Sequence, residues 1–127
     1  MKLRVTKNSI RLRLSQTDVE RFRETGVVDE KLVIGPGSDG SLTYCLARGN
    51  GSAVSASLDG TTLTISLPAS EADDWTATDR VGIEGSQPTD NGSSVSILIE
   101  KDFACLTPRA GDDDKDTFPH PELSKNC

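Results

Sequence analysis

The residue types that could bind a metal ion lie near the C-terminal end of the chain. Cys105, His120 and Cys127 offer the thiolate and imidazole groups that zinc or iron takes as ligands. Their spacing matches no known ligand pattern, and a cysteine at a chain end is an unusual ligand. The sequence therefore leaves open a small metalloprotein with a tail site, and also a Cys105–Cys127 disulfide, which requires an oxidising environment. Carboxylates that could join such a site lie between these residues: Asp112, Asp113, Asp114 and Asp116.

Catalytic groups are scarce in the rest of the chain. His120 is the only histidine and lies between two prolines, so no Ser-His-Asp arrangement can be assembled. Asp73 and Asp74 are adjacent on a predicted helix and point in different directions. The glycine-rich stretch 35–40 lacks the lysine and helix of a phosphate-binding loop. We expect neither enzymatic activity nor a cofactor.

A basic face is the main candidate for a binding surface. Alternating positions of the first predicted hairpin carry cations, and such a face could bind nucleic acid or an acidic segment of the same chain. The corresponding positions of the second half are uncharged, and solvated Lys and Arg side chains on an exposed sheet face are the simpler interpretation. The cations are Lys2, Arg4, Lys7, Arg11 and Arg13.

The charge is distributed unevenly along the 127 residues. The formal net charge is −6, but residues 1–53 have nine Lys or Arg against six Asp or Glu, and residues 54–127 have five against fourteen. An acidic chain is a poor non-specific ligand for nucleic acid, since that affinity comes from neutralised phosphates. No apolar run has the length of a signal peptide or a membrane span, so we expect a cytoplasmic protein that does not interact with membranes.

The acidic tail, residues 107–127, gives a more specific hypothesis. The run Gly111–Asp116 could fold over the basic hairpin and neutralise it, which would explain the uneven charge. A disordered acidic tail is the alternative.

The elements that position these residues follow from apolar periodicity. Residues 2–14 alternate apolar and polar side chains on either side of a turn, which is typical of a half-buried hairpin. Ser15 or Thr17 can cap a helix that Gly26 ends, because glycine accepts the left-handed conformation. Strands over 27–34 and 41–47 complete the first unit.

The same order of elements recurs after a Gly- and Ser-rich joint at 48–53. Strands are predicted over 54–58 and 62–67, a helix begins at Pro68, and two further strands follow over 81–84 and 94–101. The two halves match without a gap at an offset of 53 residues. This predicts an internal duplication, although similar elements share an apolar rhythm in any case. The match places Leu12 on Ile65, Leu14 on Leu67, Phe22 on Trp75, Val28 on Val81 and Cys45 on Leu98, and Cys45 is expected to be buried among apolar side chains.

Each half resembles the swapped-hairpin domain of bacterial transition-state regulators and antitoxins. That domain has a strand, a turn, a strand ending in Ile-Pro or Leu-Pro, a short helix and a final hairpin. Residues 54–101 with Leu67-Pro68 match it better than the first half, which has Leu14-Ser15. In that family two chains interlace as a dimer and bind duplex DNA. The resemblance implies that both halves complete each other within one chain here.

The whole chain also resembles a family of small bacterial proteins of unknown function. This resemblance implies no activity, substrate or site. It is carried by Asn8–Leu14, Leu42-Thr-Tyr44, Trp75 with Thr78-Asp79, Glu100–Leu106 and the closing Cys127.

These patterns lead to one set of expectations. The fold is β-rich α+β, a barrel of two tandem ββαββ units with pseudo-twofold symmetry, over residues 1–106 (units 1–53 and 54–106), with an acidic extension over 107–127. We expect a monomeric, non-catalytic binding or accessory domain, with a protein as the partner class favoured over nucleic acid. A swapped-hairpin DNA-binding regulator or antitoxin is the first alternative, and a metalloprotein is the second.

Overall fold

The computed structural model of the protein describes residues 1–103 and Phe118. The β-rich α+β class is confirmed, since eight strands and two α-helices occur in the described residues. Neither of these helices is long and apolar enough to cross a membrane. The elements are β1 (Lys2–Thr6), β2 (Ser9–Leu14), α1 (Gln16–Thr25), β3 (Val27–Val33), β4 (Ser41–Gly49), β5 (Ser55–Asp59), β6 (Thr62–Pro68), α2 (Ala69–Ala77), β7 (Gly82–Pro88) and β8 (Ser94–Lys101).

The strands form two four-stranded sheets that each contain one hairpin from each half of the sequence. Sheet A has the order β1-β2-β8-β7, and sheet B has the order β3-β4-β6-β5. The two central pairs, β2 with β8 and β4 with β6, are parallel, whereas all outer pairs are antiparallel. Neither half therefore completes a sheet by itself.

The helices begin and end where the local chemistry predicts. Ser15, and not Thr17, caps α1: its hydroxyl accepts from the Asp18 amide, and the Asp18 carboxylate accepts from the Ser15 amide, which is a capping box. Gly26 ends α1 with a φ of 81°. The second helix begins directly after Pro68, which has no side chain able to cap it.

One apolar core fills the space between the sheets and the helices. Phe22 and Trp75 meet edge to face with ring centroids 6.2 Å apart, so the two helices contact each other through the residues that the offset had matched. The inward residues of the central strands complete the core: Leu12, Leu14, Leu46, Ile65, Leu67, Ile97 and Ile99.

The gapless match between the halves is wrong after the helices. Val28 pairs with Leu46, whereas Ile83 pairs with Ile99, so Ile83 and not Val81 is the counterpart of Val28. Val81 is 46% exposed and lies in the four-residue connection between α2 and β7. In the first half, by contrast, Gly26 alone joins α1 to β3. The longer connection brings the Val81 carbonyl 3.1 Å from the Trp75 indole nitrogen, which satisfies a donor that Phe22 does not have.

The expected closed barrel is also wrong. No backbone ladder joins sheet A to sheet B within residues 1–103. Where the edge strands β5 and β7 approach, the link is a side chain: the Gln87 amide donates to the Ala56 carbonyl and accepts from the Ala56 amide, both at 2.8 Å. Gly85 lies so close that a Cβ added there would be 2.7 Å from the Val54 Cβ. The sheets therefore pack as two layers.

Candidate binding surfaces

The predicted basic face is the outer face of sheet A. The antiparallel register of β1 and β2 places Lys2 beside Arg13 and Arg4 beside Arg11. The parallel pairing of β2 with β8 then places Glu100 next to Arg13. The face therefore includes a carboxylate from the second half of the chain.

Glu100 pairs with both arginines of β2 and offsets one of their two positive charges. Its Oε1 atom accepts from Arg11 Nε at 2.7 Å and from Arg13 Nε at 2.9 Å. The three side chains are only 15 to 27% exposed, so these charge-assisted hydrogen bonds are stronger than those of a fully solvated ion pair. The face therefore offers little free charge at its centre.

The remaining cations lie toward the edge. Lys2 Nζ is 2.9 Å from Asp102 Oδ2, and Asp102 is itself buried. Arg4 and Lys7 are exposed and have no ion-pair partner within residues 1–103. Three of the five predicted cations are thus paired with acidic residues at the end of β8. The sequence had assigned this pairing to the acidic tail. Apolar periodicity could not reveal this, because it does not say that β2 lies beside β8.

A shallow groove crosses this face. It has a volume of about 360 Å³ and is lined by Ser9, Arg11, Glu84 and Leu98, among others. Its charges are of both signs, and the described residues contain no group of three acidic, Cys or His side chains placed to hold a metal. The proposed ligands Cys105, His120 and Cys127, and the acidic run Gly111–Asp116, lie outside the described residues.

One residue of the predicted tail contacts the folded body. The Phe118 amide donates to the Asp102 carbonyl at 2.8 Å, and the Phe118 ring lies 5.7 Å from that of Phe103. Lys101 Nζ is 5.6 Å from the centre of the Phe118 ring and donates to the Thr78 carbonyl. Burial lowers the pKa of Lys101, an effect partly offset by Asp79.

Cys45 is not buried in the core as expected. It lies on the outer face of sheet B, paired with Asp29 and Thr64, and is partly exposed. Burial raises the pKa of the Cys45 thiol, and the negative charge of Asp29 raises it further, whereas a hydrogen bond with Thr64 lowers it. The net shift is upward, which makes Cys45 a poor nucleophile at neutral pH.

Asp18 joins the start of α1 to the start of the chain. Its Oδ2 atom is 2.7 Å from the Met1 ammonium, whose other carboxylate neighbour is Glu30 at 3.5 Å. Burial raises the pKa of Asp18, but the Met1 ammonium and the two hydrogen bonds from Ser15 outweigh that effect, so the pKa lies below its ordinary 3.8.

Stability in acid should therefore depend on Asp18. A carboxyl group whose pKa is lower in the folded state stabilises the fold above its unfolded pKa, and this contribution is lost as the pH falls through the folded-state pKa. We expect Asp18→Asn to cost about 1–2 kcal/mol at pH 7 and to flatten the loss of stability below about pH 4. Urea unfolding at several pH values measures both effects. Asp73→Asn, which alters an exposed carboxylate, is the control, and an equal effect of the two substitutions would contradict the prediction.

The open edge of sheet B is a second surface, which sequence reasoning missed. Strand β3 was predicted nearly within its observed bounds, but nothing in its pattern shows that it has a neighbour on one side only. At its end Leu32, Val33 and Ile34 are 53%, 69% and 75% exposed. This run is the longest stretch of consecutive exposed large apolar residues in residues 1–103.

The two halves differ at this point in a way that leaves one edge unprotected. Leu32 pairs with Leu42 and Gln87 pairs with Val95, so the two residues are equivalent. Gln87 uses its amide to bond the backbone of the neighbouring sheet, whereas Leu32 has only an aliphatic side chain. Side-chain hydrogen bonds therefore join the edge strand β7 to β5 of the other sheet. At the equivalent position of β3, Leu32 forms no such hydrogen bond.

Comparison with known proteins gives a family and no activity. The model described as "Family of unknown function (DUF7009)" matches residues 1–122. No curated protein and no solved structure matches the chain.

Proposed function

Since the chain belongs to DUF7009, a family of unknown function, we propose that it is a monomeric, non-catalytic protein-binding domain of the cytoplasm. The observation that carries this proposal is the exposed apolar run of residues 32–34 at the end of β3, an edge strand that pairs on one side only. Contiguous apolar surface on a small domain is costly in water and is typical of contact surfaces for other proteins.

The basic face gives less support to the DNA-binding alternative. Arg11 and Arg13 are paired with Glu100, and Lys2 is paired with Asp102. A phosphate would have to displace these carboxylates before it gained a contact. Arg4 and Lys7 remain, and two phosphate contacts give only weak binding.

The exchange of hairpins between the halves supports a monomer. Each sheet draws one hairpin from residues 1–53 and one from residues 54–101, as two interlaced chains would in a swapped-hairpin dimer. We attribute this arrangement to an internal duplication of a ββαββ unit. A single chain then contains both partners and needs no second copy to complete its sheets.

Two measurements on the purified chain test this function. Fluorescence anisotropy with a 30-base-pair duplex should show no binding at 150 mM salt, and light scattering should give the mass of a monomer. Affinity capture from nuclease-treated lysate of the source cells should then recover a defined protein, and the purified pair should re-form. DNA binding whose affinity falls steeply with salt and is lost in an Arg4→Ala, Lys7→Ala double variant would instead establish the regulator alternative.

A further inference from the structure

The backbone of β3 has an identifiable set of free hydrogen-bonding groups. The Arg48 amide donates to the Gly26 carbonyl at 2.8 Å, and the Ile34 amide donates to the Gly40 carbonyl at 2.7 Å. These bonds fix the alternation of the antiparallel ladder, so the even-numbered residues of β3 bond to β4. The odd-numbered residues direct their N–H and C=O groups toward the open edge.

Three of these odd-numbered residues are available to a ligand. The Thr25 hydroxyl already donates to the Val27 carbonyl at 2.8 Å and is 3.4 Å from the Val27 amide. Asp29, Lys31 and Val33 have no such partner within residues 1–103. Natural edge strands are commonly protected by proline, a bulge, a covering loop or charged side chains, and within residues 1–103 the charges of Asp29 and Lys31 are the one such protection of these three residues.

A second copy of the chain is a poor occupant of this edge. If β3 of one copy paired antiparallel with β3 of another through all three open residues, Asp29 would lie opposite Val33. The central residue, Lys31, would then lie directly opposite Lys31 of the other copy. Like charges at directly opposed positions destabilise a sheet. The charges therefore favour a different strand.

The same register specifies the chemistry of that strand. An antiparallel partner would meet Val33 with an apolar residue, Lys31 with an acidic residue and Asp29 with a basic residue on the outer side. On the inner side, an apolar residue would lie opposite Leu32 and a basic residue opposite Glu30.

We propose that β3 binds an extended peptide segment of a partner protein as a fifth, antiparallel strand of sheet B, with the pattern apolar-apolar-acidic-basic-basic. This inference rests on the proposed protein-binding function and names its site and the chemistry of its partner. Backbone hydrogen bonds would supply affinity, and the charged side chains would set the register.

The test is an NMR titration of the full chain with a synthetic peptide. The probe is the acetylated and amidated heptapeptide Thr-Val-Val-Glu-Lys-Lys-Thr, and the control is the charge-reversed peptide Thr-Val-Val-Lys-Glu-Glu-Thr. We expect the amides of Asp29, Lys31 and Val33 to shift and to become protected from exchange. The reversed peptide should bind about tenfold more weakly, because each favourable cross-strand pair becomes a like-charge pair.

Two substitutions on β3 and one on β7 make the test specific. Lys31→Pro removes one outward N–H group and should weaken binding at least about fivefold, since proline is tolerated on an edge strand but cannot donate. Ser86, which pairs with Ser96 on β8, is the equivalent residue of β7, so Ser86→Pro is the matched control and should leave binding unchanged. Lys31→Glu retains the backbone donor and reverses the charge of an exposed side chain. It should reduce the difference in affinity between the two peptides, or make the charge-reversed peptide bind more tightly.

Five outcomes would overturn the proposal. Equal binding of both peptides would show that cross-strand charge pairs do not set the register. Chemical-shift changes centred on Arg4 and Lys7 would locate the site on sheet A. Concentration-dependent shifts of β3 without peptide would make a second copy the occupant. A captured protein partner whose binding survives Lys31→Pro would refute the edge site and leave the protein-binding function standing, whereas DNA binding without any protein partner would refute both.

Discussion

Replacing Trp75 with alanine is expected to destabilise the fold by about 3–5 kcal/mol, because it empties the centre of the core. The side chain is fully buried at the contact between the two helices, where its ring packs against Phe22. The substitution removes this contact, opens a cavity in the shared core, and leaves the Val81 carbonyl without the indole donor. Urea unfolding followed by circular dichroism measures the change.

Two related variants separate the contributions at this site. Trp75→Phe retains an aromatic ring but loses the hydrogen bond and part of the volume, and we expect it to cost about 1–3 kcal/mol. Phe22→Leu, which alters the ring that Trp75 contacts, should cost a similar amount. If Trp75→Ala were no more destabilising than Trp75→Phe, the indole could not be packed as described.

Removal of Glu100 should have the next largest effect, about 2–3 kcal/mol, which is typical of lost hydrogen bonds to charged groups. Glu100→Ala leaves Arg11 and Arg13 side by side, partly buried and without the carboxylate that both of them contact. It should also create the basic surface that the wild-type chain lacks. We therefore expect weak binding to duplex DNA to appear in this variant, with a steeper salt dependence than for the wild type.

Glu71 provides the matched control for Glu100. It pairs with Arg80, but its side chain is 42% exposed, so Glu71→Ala should cost less than about 1 kcal/mol. The Glu71→Ala substitution should not affect DNA binding. Equal destabilisation by the two substitutions would show that partial burial does not strengthen the Glu100 pairs.

The sequence predicts the local elements well because their signals are local. Alternation identifies β2, a cap at Ser15 or Thr17 and the terminal Gly26 bound α1, and Pro68 marks the start of α2. The offset also matches Phe22 with Trp75, and the structure shows that these two rings contact each other in the core. These features depend on neighbouring residues and on the period of each element.

The arrangement of the strands depends on information that no local pattern contains. The parallel pairing of β2 with β8 is what brings Glu100, from the second half of the chain, beside Arg11 and Arg13. Periodicity also could not place Cys45 on the outer face of sheet B, since a strand with apolar residues on both sides gives no preference. The two-residue shift at Val81 accompanies a hydrogen bond from the Trp75 indole to the Val81 carbonyl, and a gapless alignment conceals it. The open edge of β3 is likewise a property of the assembled sheet.

The exchange of hairpins has a consequence for how the chain folds during synthesis. Arg11 and Glu100 are 89 residues apart in sequence, and both central strand pairs join the two halves. A chain emerging from the ribosome therefore cannot complete sheet B until β6 has been made, or sheet A until β8 has been made, and β2 and β4 each wait with one unpaired edge. Contacts of such long range slow folding, and waiting strands are prone to aggregate. We expect refolding to be slow for a domain of this size, and the yield of folded protein to depend on temperature and on chaperones more than its equilibrium stability would indicate.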